Sequence, residues 1–148
     1  MAESLPIAIA SDHAGFELKQ QLVASVREWG IALEDLGPDD DTSVDYPDYA
    51  HMLADGIVRG RFRLGILICG TGIGMSMAAN RHPGVRAALC TDVFSARMTR
   101  MHNNANVLCL GARVTGAGLA EEIVRTFLAH DFEGGRHSRR VEKIELPS

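Results

Sequence analysis

Five short apolar runs separated by stretches of helical periodicity constrain this chain more than any other feature. They read "LPIAIA" at 5–10, "IALEDLG" at 31–37, "RLGILICG" at 63–70, "VRAALC" at 85–90 and "NVLCLG" at 106–111. Runs this short read as buried strands. Between them apolar residues recur at helical spacing: Leu18, Leu22, Val26 and Trp29, then Tyr49, Leu53 and Ile57, and finally Leu119, Ile123 and Phe127. A further helix starting near Gly72 carries "MSMAAN", and Thr91 is placed to cap the helix after the fourth run. The strands are apolar throughout rather than alternating, which suits a parallel sheet covered on both faces. The predicted fold is α/β: a single-domain, Rossmann-like three-layer α/β/α sandwich with a five-stranded parallel sheet and a C-terminal helical tail.

Two segments stand outside that repeat. The stretch 38–47, "PDDDTSVDYP", is acidic and turn-rich and reads as a surface loop. The tail "FEGGRHSRRVEKIELPS" carries a Gly134-Gly135 pair that reads as a hinge. A helix after it would set Arg136 and Arg140, four residues apart, on one face.

The totals exclude several classes of function. A chain of 148 residues fits one domain (1–148), and its net charge of -4 gives no bulk attraction for nucleic acid or an anionic membrane. An anionic ligand must therefore be caught by a few basic groups in a pocket. The N-terminus lacks the pattern of a signal peptide, and no apolar stretch approaches the roughly 20 residues that span a bilayer. Three cysteines, Cys69, Cys90 and Cys109, are an odd count without paired spacing. That argues against a disulfide framework or a zinc site and for a reducing cytoplasm. No histidine/carboxylate cluster shows ligand spacing along the chain, so no metal is expected.

Ligands of parallel α/β sheets bind at the carboxyl ends of the strands. The segments found there are Ser11-Asp12-His13, Cys69-Gly70-Thr71-Gly72-Ile73-Gly74, Thr91-Asp92 and Gly111-Ala112-Arg113. "CGTGIG" is the most informative. Its alternating glycines let backbone N–H groups approach a ligand, and the helix start after it adds a positive dipole end. It matches neither common nucleotide motif: a dinucleotide fingerprint from Gly72 would need glycine where Met77 stands, and no Gly-Lys-Ser/Thr is present. The loop reads either as a hole for a small oxyanion or as a tight turn with packing glycines. Cys69 at its mouth is either a base or a buried strand cysteine. Asp12-His13 pairs a carboxylate with an imidazole, or is a helix cap beside a surface histidine. His102 follows the arginines Arg97 and Arg100 near a helix end, where a histidine often only meets the helix dipole. Arg113, Arg136 and Arg140 fit a phosphate clamp or a solvated surface.

"SDHAGFELK", "DYPDYA", "ICGTGIGMSMAANR", "HNNANVLCLGARV" and "FEGGRHSRRV", in this order along nearly the whole chain, resemble type B ribose-5-phosphate isomerases. That group includes galactose-6-phosphate isomerase subunits. The resemblance implies a metal-free, cofactor-free aldose–ketose isomerisation through an enediolate. It implies Cys69 as the base between C1 and C2, since Gly74-Met75 stands where other members carry a glutamate. It further implies Thr71 in proton traffic, His102 in opening the furanose ring, and Gly70, Gly72, Ile73, Gly74 and Asn103 around the sugar. Asp12 and His13 would contact the sugar and phosphate end, and Arg113, Arg136 and Arg140 the phosphate. The resemblance also implies a homodimer, or a tetramer made of two dimers, whose site draws on two subunits, with residues 134–148 contacting the partner. The substrate expected is ribose 5-phosphate and ribulose 5-phosphate. The alternatives are allose 6-phosphate, galactose 6-phosphate or a tetrulose phosphate, an idle ligand-binding subunit, or a nucleotide-binding module.

Overall fold

The computed structural model describes residues 5–147. Five strands alternate with helices: β1 (Ile7–Ser11), α1 (Phe16–Glu28), β2 (Leu33–Asp35), α2 (Tyr46–Val58), β3 (Gly65–Cys69), α3 (Ile73–Ala79), β4 (Ala87–Leu89), α4 (Val93–Asn103), β5 (Val107–Gly111), α5 (Ala117–Ala129) and α6 (Arg136–Glu142). All strand pairs are parallel, in the order β2-β1-β3-β5-β4. The predicted three-layer α/β/α architecture is the one observed.

Side-chain alternation in the strands explains the two cores. In β1, Ile7 and Ile9 face one layer and Ala8 and Ala10 the other. The first layer joins Leu22 and Val26 of α1 to Ile123 and Phe127 of α5 over Ile66, Ile68, Leu108 and Leu110. The second joins Leu53 of α2 and Met75 of α3 to Leu67, Cys69, Val107 and Cys109. β1, β3 and β5 are buried at every residue, as their continuous apolar sequence requires.

The edge strands differ from expectation. β2 and β4 shrink to three residues each and are only partly buried, because each has one strand neighbour. The outer edge of β4 is sealed by one side chain: Asn80 Nδ2 donates to Ala87 O at 2.9 Å, and Ala87 N–H donates to Asn80 Oδ1 at 2.8 Å. Leu119, read on one helix face with Ile123 and Phe127, is 45% exposed while they are buried. The buried stripe of α5 is Ala120, Ile123, Val124 and Phe127. At 100° per residue Leu119 sits about 90° from the centre of that stripe. On α4, only Arg100 of the two arginines lies in the last turn, with His102.

One ion pair lies under the loop that follows β2. Lys19, wholly buried, donates to both carboxylate oxygens of Asp35 at 2.9 and 2.8 Å, while Asp35 Oδ1 also accepts Gly37 N–H at 2.9 Å. Removing one partner of a buried pair strands the other. Asp35 retains a quarter of its side-chain exposure, which softens the loss. Lys19→Met is expected to cost about 2 kcal/mol in urea unfolding; a loss too small to measure would contradict the role assigned to the pair.

Candidate active site

The carboxyl end of the sheet gathers one set of the expected residues. β1 runs into Asp12, whose N–H donates to Ile68 O at 3.1 Å and whose Oδ1 accepts Gly15 N–H at 3.1 Å. Asp12 is therefore a buried carboxylate tied to β3 and to the start of α1. His13 Nδ1 accepts Val44 N–H at 3.2 Å, so its proton resides on Nε2. Val44 lies in the acidic loop, 31 positions along the chain. This fixing of a ring tautomer by a backbone amide has no signal in sequence.

Cys69 ends β3 and is buried. Its Sγ accepts Gly72 N–H at 3.2 Å, and Thr71 Oγ1 accepts Ile73 N–H at 3.2 Å. Two loop amides thus steady the sulfur and the hydroxyl. The loop is pinned from β5: Ala112 N–H donates to Cys69 O at 2.9 Å and Arg113 N–H to Gly70 O at 3.0 Å. The side chain of Arg113 covers Gly70, with Nη1 3.5 Å from where a Cβ would stand. Gly72 has φ +81°, which favours glycine, and a Cβ there would meet Leu89 and the Leu110 backbone at 2.6 and 2.9 Å. A wall of the site that the sequence did not disclose is Tyr46. Its ring packs on Gly74, 2.5 Å from an imagined Cβ.

The second set lies elsewhere. α4 begins at the carboxyl end of β4 and runs antiparallel to the strands, so His102 and Asn103 at its C-terminus fall at the amino end. Asn106, three residues past Asn103, accepts Gly65 N–H at the start of β3. Arg100 clamps this corner: Nη1 donates to Ala105 O at 2.5 Å and Nε to His130 O at 3.1 Å. The tail then folds back onto α4 of its own chain. Glu133 N–H donates to Met101 O at 3.0 Å, and α6 follows the Gly134-Gly135 turn. Arg136 and Arg140 are exposed, one helical turn apart on α6 as predicted. Five-residue strands are about 17 Å long. Within one chain, the set Asp12, His13, Cys69, Thr71 and Arg113 is thus separated by the length of the sheet from His102, Asn103, Arg136 and Arg140.

At the amino end, His102 Nε2 lies 3.1 Å from Glu133 Oε1, and the His102 and His137 rings stack with centroids 4.1 Å apart and planes 14° apart. Burial holds the His137 imidazole below the usual histidine range, and His102 and Arg136 push it the same way. The sequence shows no histidine/carboxylate cluster at ligand spacing, yet the fold brings His102 to Glu133 and His137, 31 and 35 residues further along the chain. "FEGGRH" held both missed residues, but only folding reveals their partner. A metal suits this trio poorly. Imidazole binds metal in its ring plane, and one ion cannot lie in two stacked, nearly parallel planes.

Burial raises the Cys90 thiol to about 11 and pushes the Cys109 thiol up further, so neither is a ready nucleophile.

The chain matches the Ribose/Galactose Isomerase family over residues 7–144 and belongs to that family. It is 46% identical to ribose-5-phosphate isomerase B of Escherichia coli over 138 residues, 93% of each chain. Among solved structures it is similar to a ribose 5-phosphate isomerase of Thermotoga maritima, with a TM-score of 0.93, 53% identity and coverage of 96% and 98% of the two chains. Ribose-5-phosphate isomerase B of Mycoplasma genitalium, solved with bound ribulose-5-phosphate, gives a TM-score of 0.90, 46% identity and coverage of 95% and 94%.

Gly111 offers a direct test of loop placement. A Cβ there would lie 2.6 Å from the backbone carbon and oxygen of Thr71, whereas one on Gly116 meets open space. Gly111→Ala is expected to lower kcat about ten-fold or more in a folded protein, by displacing the loop that holds Cys69. Gly116→Ala should match wild type in kcat. Equal rates for the two variants would contradict the placement.

Proposed function

We infer that this protein is an aldose–ketose isomerase that interconverts ribose 5-phosphate and ribulose 5-phosphate. The observation that carries the reading is the Cys69 sulfur at the mouth of the glycine loop, held by Gly72 N–H, in a chain of the Ribose/Galactose Isomerase family. Relatives named for this reaction, one of them with ribulose-5-phosphate bound, support the choice of sugar.

In the proposed mechanism Cys69 removes the proton from C2 of the open-chain aldose and returns it to C1 of the enediolate. Loop amides between Gly70 and Gly74 stabilise the charged oxygen, an effect of roughly 3–4 kcal/mol per donor at an oxyanion hole. Thr71 relays the proton between O1 and O2. His13 offers Nε2–H and Asp12 a fixed acceptor to the sugar and phosphate end. Arg113, Arg136 and Arg140 hold the phosphate, whose remote binding energy orients the reacting carbons. His102 opens the furanose ring, with Asn103 beside it.

These roles need both ends of the sheet at one substrate. A second copy supplies the answer: the carboxyl end of one subunit faces the amino end and tail of its partner. Support comes from an apolar rim around the carboxyl-end loops, where Ile73, Met77, Leu89, Phe94, Val114 and Leu119 are exposed. The homodimer is therefore part of the proposed active unit, and residues 134–148 contact the partner, with α6 resting on its own α4. A cytoplasmic setting fits the three free cysteines.

Two measurements test this reading. Cys69→Ala is expected to lose nearly all turnover of ribose 5-phosphate while still binding it in calorimetry; near-normal turnover would sink the assignment. Because every proposed step runs on side chains and amides, exhaustive EDTA treatment should leave the rate unchanged. A loss restored by a divalent ion would overturn the mechanism.

A further inference from the structure

We propose that Glu133 is the positioning residue of His102: its carboxylate fixes the proton of His102 on Nε2 and so presents Nδ1 to the sugar. The inference rests on the ring-opening role proposed above, and three observations carry it. Glu133 Oε1 lies 3.1 Å from His102 Nε2, an ion-pair contact in which the carboxylate's negative charge favours a proton over a lone pair on that nitrogen. The carboxylate is itself located, because Glu133 N–H donates to Met101 O at 3.0 Å, one residue before His102. The ring is then held flat by His137, stacked at 4.1 Å, whose side chain is only 12% exposed. His137 Nε2 is 3.9 Å from the same Glu133 oxygen, so the carboxylate leans to His102.

The arrangement belongs to one chain, although the substrate it would serve lies at a partner's glycine loop. Arg100, Asn104 and the Gly134-Gly135 turn bring α4 and the tail together, and Glu133 is where they meet. This explains why the tail folds back instead of reaching away. It completes His102 chemically before any partner is met.

The chemistry balances without an added reagent. Opening the furanose breaks the bond from C1 to the ring oxygen O4, whose electron pair stays on O4. The O1 hydroxyl loses its proton as its electrons form the C1 carbonyl. His102 Nδ1 accepts the O1 proton and delivers one to O4, so the histidine ends as it began. While it carries the extra proton, the imidazolium faces the Glu133 carboxylate, as in other histidine–carboxylate pairs.

The test uses the full-length dimer with ¹⁵N-labelled histidine, His102 being assigned by its absence from His102→Gln. In wild type, and in Glu133→Gln, which keeps an acceptor oxygen, His102 should show protonated Nε2 and bare Nδ1. In Glu133→Ala the two tautomers should mix. Turnover of ribose 5-phosphate by Glu133→Ala should fall about ten-fold or more, with Glu133→Gln in between. Solvent deuterium uptake at C1 of ribulose 5-phosphate, which needs no ring opening, should stay near the wild-type rate. An unchanged tautomer in Glu133→Ala overturns the positioning role whatever the rates do. A changed tautomer with equal falls in turnover and deuterium uptake would uphold positioning and overturn the ring-opening role of His102 instead.

Discussion

Parallel strands joined by helices impose a separation that the rest of this molecule answers. Every β-to-α loop lies at the carboxyl end of the sheet and every helix C-terminus at the amino end. Cys69 stands on the first kind of position and His102 on the second, at opposite ends of strands about 17 Å long. No rotamer or loop shift within one chain bridges that span. The isomerisation needs a base at C1 and C2 and, for a cyclic sugar, a proton carrier at the ring oxygen. The proposed two-subunit site answers that topology as well as the chemistry, and the exposed apolar rim beside the glycine loop is a surface that a second subunit would bury.

Each half is organised by contacts that cross the chain. The carboxyl-end half is set by β5, which pins Cys69 and Gly70 through Ala112 and Arg113 and allows Thr71 close because Gly111 has no side chain. It is also set by the loop before α2, whose Val44 amide orients His13 and whose root is held by Lys19 and Asp35. The amino-end half is set by Arg100, which ties the end of α4 to the end of α5. Glu133 and His137 then take up the two faces of His102 that matter, one nitrogen and one ring face.

Much of this was legible before any coordinates. The buried strands β1, β3 and β5 are continuous apolar runs, and their order and helices follow from periodicity. The edge strands were read too long, because apolar content does not report how many neighbours a strand has. Leu119 shares four-residue spacing with Ile123 and Phe127, but its angle places it on the rim of the carboxyl end. The candidate site residues stand out in the sequence as types at strand ends, or within five motifs that resemble one isomerase family. What stayed hidden depends on distance across the fold. Val44 acts through its backbone, Tyr46 packs by shape on Gly74, and Glu133 and His137 gain meaning only beside His102. The resemblance implied a site drawn from two subunits, but the placement of Cys69 and His102 at opposite ends of the sheet needed the fold.

The central claim is that one substrate is served by Cys69 of one subunit and by the tail of the other. It is tested most directly by mixing Cys69→Ala, expected to lose turnover, with Arg140→Ala, expected to raise KM sharply, after reversible dissociation, and assaying the mixture at a ribose 5-phosphate concentration where each alone is nearly silent, with mixed dimers verified. Each mixed dimer then holds one site with both residues native and one with neither. Random pairing should restore about a quarter of the wild-type rate. No recovery in dimers shown to be mixed would contradict the account, since it would place Cys69 and Arg140 of the same chain at the same substrate.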